Sequence, residues 1–471
     1  MKHKTVSQRS FSVLILAAGK ATRFKSDRSK MLHPLAGLPL GEYALRTALT
    51  LQPDRAYLVV GHQAESVRQA FERPGLTFIE QKEQRGTGHA LIVARPELER
   101  CPSQTLLVMA GDAPLLDAAT LRGLIEAHVK ARAAATVLTA VLDNPQGYGR
   151  IVRAGGARIR AIVEEKIANA AQKRIREINS GIICFNIPKL LARLGELTDQ
   201  NAQKEYLLTD LAAILNRHRE KVIAFRVEDP CEVMGVNDRV ELAQMESILR
   251  RRKAEALMRA GVTVVHPEVT YIDELVEVGP DTVIEPGVSL LGKTSVGRGC
   301  RLGPYSTITE SSLADRVTVR QSSVISSSML ASDTSVGPFA HVRDGAVLED
   351  GARIGNFVEV KKSQVGRGTK ALHLTYLGDA TLGEKVNVGA GTVTCNYDGE
   401  KKHPTVMEDG VFIGSGTMLV APVRVGKGSY VAAGSTITED VPPESLGIGR
   451  APQVNKEGWV GRKKKAVGSK Q

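Results

Sequence analysis

Four places along the chain carry residues suited to chemistry. The first is Leu16-Ala17-Ala18-Gly19-Lys20-Ala21-Thr22-Arg23, where an apolar run empties into a loop with Gly, Thr and two cations, and Lys30 adds a third. Backbone N–H groups in such a loop, with positive charge beside them, suit phosphate oxygens. It is not a Walker phosphate loop, lacking Gly-Lys-Ser/Thr at the required spacing, nor a Gly-x-Gly-x-x-Gly dinucleotide fingerprint. A plain surface turn accounts for it equally well. The second place is Gln81-Lys82-Glu83-Gln84-Arg85-Gly86-Thr87-Gly88-His89-Ala90, which sets side-chain amides before a Gly-Thr-Gly turn that opens a helix. It can read a base edge or cradle phosphate, although a tight turn alone would explain its glycines. Third, Gly111-Asp112 puts an acid at the end of a buried strand. Aspartate there suits Mg2+ shared with substrate phosphates, because Mg2+ takes few protein oxygens and keeps several waters. A helix N-cap is the alternative. The fourth is His373: a lone His beside a repeating coil is more often structural than catalytic.

These residues need elements to hold them. At 471 residues the chain is too long for one core, since single cores stop growing near about 250–300 residues. Hydrophobic residues at 42% and charged residues at 24% exclude a largely disordered chain and a membrane bundle. No run of eighteen apolar residues is present, so no membrane-spanning helix is expected. Cys101, Cys184, Cys231, Cys300 and Cys395 lack metal-ligand spacing and form no disulfide framework, which points to a reducing compartment. The net charge is +12, and the last eleven residues carry five of the cations. That basic tail, 461–471, reads as a solvated, disordered end rather than a nucleic-acid or membrane arm. Residues 1–10 read as a flexible start; with the apolar 11–18 they imitate a signal peptide, but 11–18 reads as a buried first strand.

From 11 to 239 short aliphatic runs at 13–17, 57–60, 106–109, 136–141 and 222–227 alternate with helical stretches at 41–51, 65–71 and 118–131. The alternation predicts a mostly parallel sheet covered on both faces, with ligands at the carboxyl ends of its strands. Residues 240–260 read as an amphipathic connecting helix, with Leu242, Met245, Leu249 and Ala256 on one side. From 261 to 460 aliphatics recur every six residues. Val278, Ile284, Leu290, Val296, Leu302 and Ile308 form one run, Val336 to Val360 a second and Ile413 to Ile437 a third. Three hexads make one triangular coil, aliphatics inward and Gly or Asn at the corners, so a parallel β-helix is predicted. An antiparallel sandwich would instead show period two. Between Val388 and Ile413 the rhythm breaks around Cys395-Asn396-Tyr397-Asp398-Gly399, a loop excursion of the kind that serves a site or a partner.

With these residues in view, the chain resembles the bacterial family of bifunctional N-acetylglucosamine-1-phosphate uridyltransferases and glucosamine-1-phosphate acetyltransferases. The resemblance runs from about Val13 to Trp459. It rests on the motifs above and on Gly147-Tyr148-Gly149-Arg150-Ile151, Glu177-Ile178-Asn179, Glu205-Tyr206-Leu207-Leu208-Thr209-Asp210 and Gly235-Val236-Asn237. It continues through Lys361-Lys362, His373-Leu374-Thr375-Tyr376-Leu377-Gly378-Asp379, Asn396-Tyr397-Asp398-Gly399 and Lys456-Glu457-Gly458-Trp459.

The resemblance implies an α/β chain: a Rossmann-like nucleotidyltransferase domain, a linker helix and a left-handed parallel β-helix of hexapeptide repeats. It implies acetylation of glucosamine 1-phosphate by acetyl-CoA, then transfer of UMP from UTP to give UDP-N-acetylglucosamine for peptidoglycan and lipopolysaccharide precursors. Leu16, Ala17, Ala18, Gly19, Gln81, Gly86 and Thr87 would hold uracil and triphosphate, with Arg23 and Lys30 on phosphates. Gly149, Glu164 and Asn179 would hold the sugar, and Asp112 with Asn237 would ligate Mg2+. In the other half His373 would be the base, Arg343 and Lys361 the phosphate cations, and Tyr376 and Asn387 sugar contacts. Ala390, Asn396, Tyr397, Ser415, Ala433 and Arg450 would line the acetyl-CoA groove. A cytoplasmic homotrimer acting on small molecules, without nucleic acid or integral membrane association, is also implied. Four residues depart from the family's pattern: Ala21 for Gly, Phe24 for Met, Ser29 for Pro, and Ala110 for a Tyr of some members. The rival readings are a nucleotidyltransferase of different sugar specificity, whose β-helix only regulates or assembles, and a non-catalytic scaffold.

Overall fold

The computed structural model describes residues 10–201 and 203–468. The start expected to be flexible lies, apart from Ser10, outside the described residues, as does the tail beyond 468. Contacts divide the chain into two compact units, Met1–Leu249 and Arg250–Gln471.

The first unit is built on a nine-stranded sheet. Its strands are β1 (Phe11–Leu16), β2 (Arg55–Val60), β3 (Leu76–Glu80), β4 (Thr105–Ala110), β5 (Ala135–Val141), β6 (Arg150–Gly155), β7 (Arg158–Val163), β8 (Glu177–Asn186) and β9 (Val222–Arg226). The order is β3-β2-β1-β4-β8-β5-β9-β7-β6. β1 and β4 are continuous aliphatic runs because both their faces are covered. Leu14 faces one apolar cluster while Val13 and Ile15 face another, the period of two that a strand between two helical layers requires. Helices Leu40–Thr50, Ala64–Phe71, Thr87–Glu99 and Ala118–Ala131 connect the strands of this region.

The sheet is mixed rather than mostly parallel. β8 runs antiparallel between β4 and β5, and β6–β7 is an antiparallel hairpin. Neither is one unbroken apolar run: the hairpin carries Arg153, Arg158 and Arg160, and β8, apolar at 182–185, is interrupted at Gly181, φ +77°, where its register shifts. The connecting helix, Arg239–Arg259, also lacks a single apolar side. Met245 and Leu249 are buried, then Ala254 and Leu257 about a quarter-turn or more away, while Ala256 is exposed.

Buried His128, on the helix Ala118–Ala131, has its Nδ1 2.9 Å from Thr136 Oγ1. Burial, with Lys189 nearby, lowers its pKa from 6.5 to about 4. The unfolded chain therefore binds the extra proton between those values, so stability is intact above about pH 6.5 and falls as pH drops towards about 4, by up to about 3 kcal/mol. In His128→Asn that loss should disappear from the denaturant midpoint of the first unit, measured at pH 7 and pH 4.5; an equally steep fall in the variant would refute it.

The second unit is a three-sided parallel β-helix. Among the described residues its faces hold eleven, ten and nine strands, every neighbouring pair parallel. Ile284, Leu290, Val296, Leu302 and Ile308 all point into one continuous core. The apparent breaks after Ile308 and Val360 are not interruptions: Leu313, Val319, Ile325, Leu330 and Val336 carry the core on, with a five-residue step at the edge between the second and third faces. Coils that contain this step advance seventeen residues, as in Ser295↔Ser312, and the others eighteen, as in Val283↔Arg301. Corners are not confined to Gly and Asn. Tyr305, Phe339, Phe357 and Leu374 take positive φ at the edge between the first and second faces. Each is bonded to the coil below, as Phe357 N–H is to the Phe339 carbonyl at 3.2 Å, which holds a conformation that side chains otherwise disfavour. Residues of the basic tail form an exposed helix, Trp459–Gly468, in which Lys463 Nζ sits 4.9 Å from the Trp459 ring centre. Among the described residues no helix is long and apolar enough to cross a membrane, and the five cysteines are free.

Candidate functional site

In the first unit the carboxyl ends of β1 and β4 open on a cleft of about 630 Å3. Its walls bring together Leu16, Ala17, Ala18, Gly19, Arg23, Lys30, Gln81, Gly86, Thr87, Asp112, Glu164, Asn179 and Asn237. Gly149 is not on the wall but behind it: a Cβ there would lie 3.5 Å from Glu164 Oε1, and its carbonyl accepts Asn179 N–H at 2.8 Å.

Long-range contacts shape each wall. Gly86 has φ +103°, and a Cβ on it would meet the Tyr206 carbonyl at 2.5 Å, so this close approach admits only glycine. Gly88 N–H bonds that carbonyl at 2.7 Å, and Leu208 N–H bonds Thr87 Oγ1 at 3.2 Å. Gln81, 4% exposed, directs Nε2 to the Gly86 carbonyl and to His89 Nδ1, both at 3.1 Å, which leaves its oxygen as the group able to accept from a base. Thr209 Oγ1 donates to Glu164 Oε1 at 2.9 Å. Next to it, Arg150, only 2% exposed, pairs with Glu165 at 2.6 Å and braces the strand leading from Gly149. The Asp112 carbonyl accepts Val236 N–H at 3.0 Å, which places Asn237 in the same cleft, and the Asp112 carboxylate is ion-paired with Lys30.

The four departures have local explanations. Ala21 adopts φ 47°, ψ 50° before the short helix Thr22–Phe24, a left-handed position that glycine fills without strain. Ala21→Gly should therefore raise stability by about 1 kcal/mol, read as a higher denaturant midpoint for the first unit; a lower midpoint would refute the strain. Phe24 is buried against the His33 ring, centroids 4.8 Å apart. Ser29 supplies an N–H that proline lacks, bonded to Gln63 Oε1 at 2.7 Å. Ala110 lines the cleft.

In the second unit the expected residues occupy two edges and the faces beside them. His373 ends a strand of the first face, Lys370–His373, and its Nδ1 lies 2.8 Å from Asn356 Oδ1 directly beneath it in register. Above it the edge changes character. Tyr305, Phe339, Phe357 and Leu374 give way to Gly391, Gly416 and Gly434, all at positive φ. Gly416 N–H bonds the Ala390 carbonyl at 2.7 Å and Gly434 N–H the Ser415 carbonyl at 2.8 Å, so Ala390, Ser415 and Ala433 climb one column. Arg450 stands at its top, where a Cβ on Gly434 would lie 3.8 Å from Arg450 Cδ. From Gly391 upward the corner of this column carries no side chain. Asn387 lies on the first face, and Tyr376 begins the next strand of the second.

At the opposite edge of that second face Arg343 and Lys361 are paired in register. Glu359 Oε1 accepts from Arg343 Nε at 2.8 Å. The excursion 396–404 brings Lys402 against Lys361, and the neighbouring ammonium, with Arg343, holds the Lys361 pKa below its ordinary value. Asn396 bonds Asp379 at 2.5 Å, and Tyr397, 61% exposed, pairs with Lys402 across the excursion.

Comparison with known proteins agrees with this division. Residues 13–179 match the model of the MobA-like NTP transferase domain, 265–378 the GMPPB C-terminal domain, and 404–439 the bacterial transferase hexapeptide (six repeats). The Bifunctional protein GlmU of Pelobacter propionicus is 50% identical over 455 residues, 96% of this chain and 99% of its own. That of Trichlorobacter lovleyi is 50% identical over 454 residues, covering 96% and 98%, and that of Koribacter versatilis 47% over 462, covering 97% and 98%. The chain belongs to the GlmU family of bifunctional proteins. Its membership accounts for an NTP transferase unit and a hexapeptide unit in one chain.

Several residues that shape these candidate sites escaped the sequence reading. Asn356 precedes His373 by seventeen residues, one short coil, and a coil-by-coil alignment of the repeats would have exposed it. Lys402 had no signal beyond its place in the excursion. Thr209 was seen only as part of a motif; its bond to Glu164 required the fold.

Proposed function

We propose that the chain is a bifunctional enzyme that acetylates glucosamine 1-phosphate with acetyl-CoA and then transfers UMP from UTP to the product, giving UDP-N-acetylglucosamine and pyrophosphate. The observation that carries this reading is that the loop after β1, the Gly86-Thr87 turn, Asp112 and Asn237 share one cleft of the first unit, whereas His373, held by Asn356, stands below the glycine-cornered column of the second.

In the first unit a phosphate oxygen of N-acetylglucosamine 1-phosphate attacks the α-phosphorus of UTP and pyrophosphate leaves. No covalent nucleophile is needed, so positioning and charge neutralisation supply the rate. Backbone N–H groups after β1, with Arg23 and Lys30, face the triphosphate, Gln81 accepts from the base, and Glu164, oriented by Thr209, holds the sugar. The donor set fits Mg2+: Asp112 and Asn237 offer hard oxygens on one wall, and the carboxylate already holds the ammonium of Lys30. Bound there, Mg2+ would neutralise phosphate charge.

In the second unit the amine of glucosamine 1-phosphate must reach the thioester unprotonated. With Asn356 Oδ1 accepting from Nδ1–H, His373 keeps a lone pair on Nε2 and takes the amine proton as the N–C bond forms and the coenzyme A thiolate leaves. Arg343 and Lys361, with Lys402, suit the acceptor's phosphate, Tyr376 and Asn387 its sugar. The column Ala390, Ser415, Ala433 and Arg450, with Asn396 and Tyr397, suits acetyl-CoA. The spread of these residues over two edges supports completion of each site between copies in a homotrimer. The free cysteines support residence in the cytoplasm. Purified protein given glucosamine 1-phosphate, acetyl-CoA, UTP and Mg2+ should release coenzyme A and pyrophosphate and form UDP-N-acetylglucosamine; folded protein that forms no nucleotide sugar would sink the proposal.

A further inference from the structure

We infer that Asp398 and His403 form a positioning clip that holds Lys402 beside Lys361 and Arg343, so that three cations are assembled before the acceptor's phosphate arrives. The inference rests on the reading that Arg343 and Lys361 bind that phosphate.

The excursion has two separate anchors. At its base, Asn396 Nδ2 donates to Asp379 Oδ2 at 2.5 Å and Thr405 N–H to the Asp379 carbonyl at 3.1 Å. Towards its tip, His403 Nε2 donates to Asp398 Oδ2 at 2.6 Å, while Asp398 Oδ1 accepts the N–H groups of Glu400 at 2.8 Å and Lys401 at 2.6 Å. The Lys401 N–H, the His403 ring and the Glu400 N–H together hold the Asp398 carboxyl well below the usual carboxylate range. His403 N–H bonds the Asn396 carbonyl at 2.8 Å, and Tyr397 pairs with Lys402, so the chain is folded back on itself with Lys402 next to the clip.

Lys402 needs such restraint. Asp379, which anchors the excursion, donates its N–H to the Lys361 carbonyl at 3.0 Å, so the excursion lies over Lys361; there the two ammonium groups repel, and Arg343, itself paired with Glu359 and Asp344, adds to the field. Without an anion between them, a loose loop would carry Lys402 into solvent. The clip opposes this through the backbone. It has little to do for the coil beneath, because both side chains are substantially exposed, 31% and 47%, and exposed ion pairs contribute little to global stability. Because Asn396 has its own anchor at Asp379, loss of the clip should release Lys402 while sparing Asn396 in the wall assigned to acetyl-CoA.

The test is steady-state acetyl transfer by the full-length protein, with kcat and KM for acetyl-CoA as the control for folding of the second unit. His403→Ala should raise KM for glucosamine 1-phosphate about tenfold, as for one lost charge-assisted contact. It should leave kcat and KM for acetyl-CoA within about twofold. His403→Gln, whose Nε2 can still donate to Asp398, should restore most of the difference. An unchanged KM for the sugar phosphate in His403→Ala, or a loss shared equally by both KM values and kcat, would overturn the clip. Arg343→Ala separates the two ideas: if it too leaves that KM unchanged, the assignment of the phosphate site is at fault rather than the clip.

Discussion

His373→Ala should lower kcat for acetyl transfer by about a hundred- to ten-thousand-fold, the span of a positioned general base, and leave uridylyl transfer from supplied N-acetylglucosamine 1-phosphate unaffected. The effect is large because the imidazole is the group placed to take the amine proton. His373 is exposed, and the residues beside it at the corner are Leu374 and Asn356, which do not titrate. Release of coenzyme A thiol reports the acetyl transfer and pyrophosphate release the uridylyl transfer. If the alanine variant releases thiol at the unaltered rate, the imidazole is structural and the base must be sought elsewhere.

Asp112→Ala should reduce uridylyl transfer by about a thousandfold while acetylation proceeds as before. Two losses combine: the cleft forfeits its carboxylate oxygen for a cation, and Lys30 forfeits the partner that orients it at 12% exposure. Pyrophosphate release at saturating UTP measures the first activity and thiol release the second. Loss of both activities together would mean that the substitution unfolds the chain or that the two chemistries are not separate. Survival of pyrophosphate release would remove Asp112 from the reaction.

The sites were unequally legible, for physical reasons. Gly86 could be picked out because a Gly-Thr-Gly turn is a local pattern, but its necessity lies in the Tyr206 carbonyl, 120 residues later, where a Cβ would collide. The loop 16–23 was visible as a strand followed by cations, but that Asp112, Glu164 and Asn237 share its wall could not be read from it. The β6–β7 hairpin went unread because arginines interrupt its apolar residues, and β8 because its apolar run 182–185 follows a polar, glycine-broken start that reads as a loop.

By itself the sequence determined the β-helix and the alternating α/β unit, because each depends on spacing between near neighbours, one face of a coil repeating the inward aliphatic about six residues on and a buried strand being a short apolar run, and the family, because its motifs are local and follow in order. Tertiary structure alone decided which distant groups touch. Asn356 reaches His373, Thr209 reaches Glu164 and Lys402 reaches Lys361 through coil length, sheet order and the path of a loop. Those contacts set which proton a ring carries and which charges crowd together, and no local pattern encodes them.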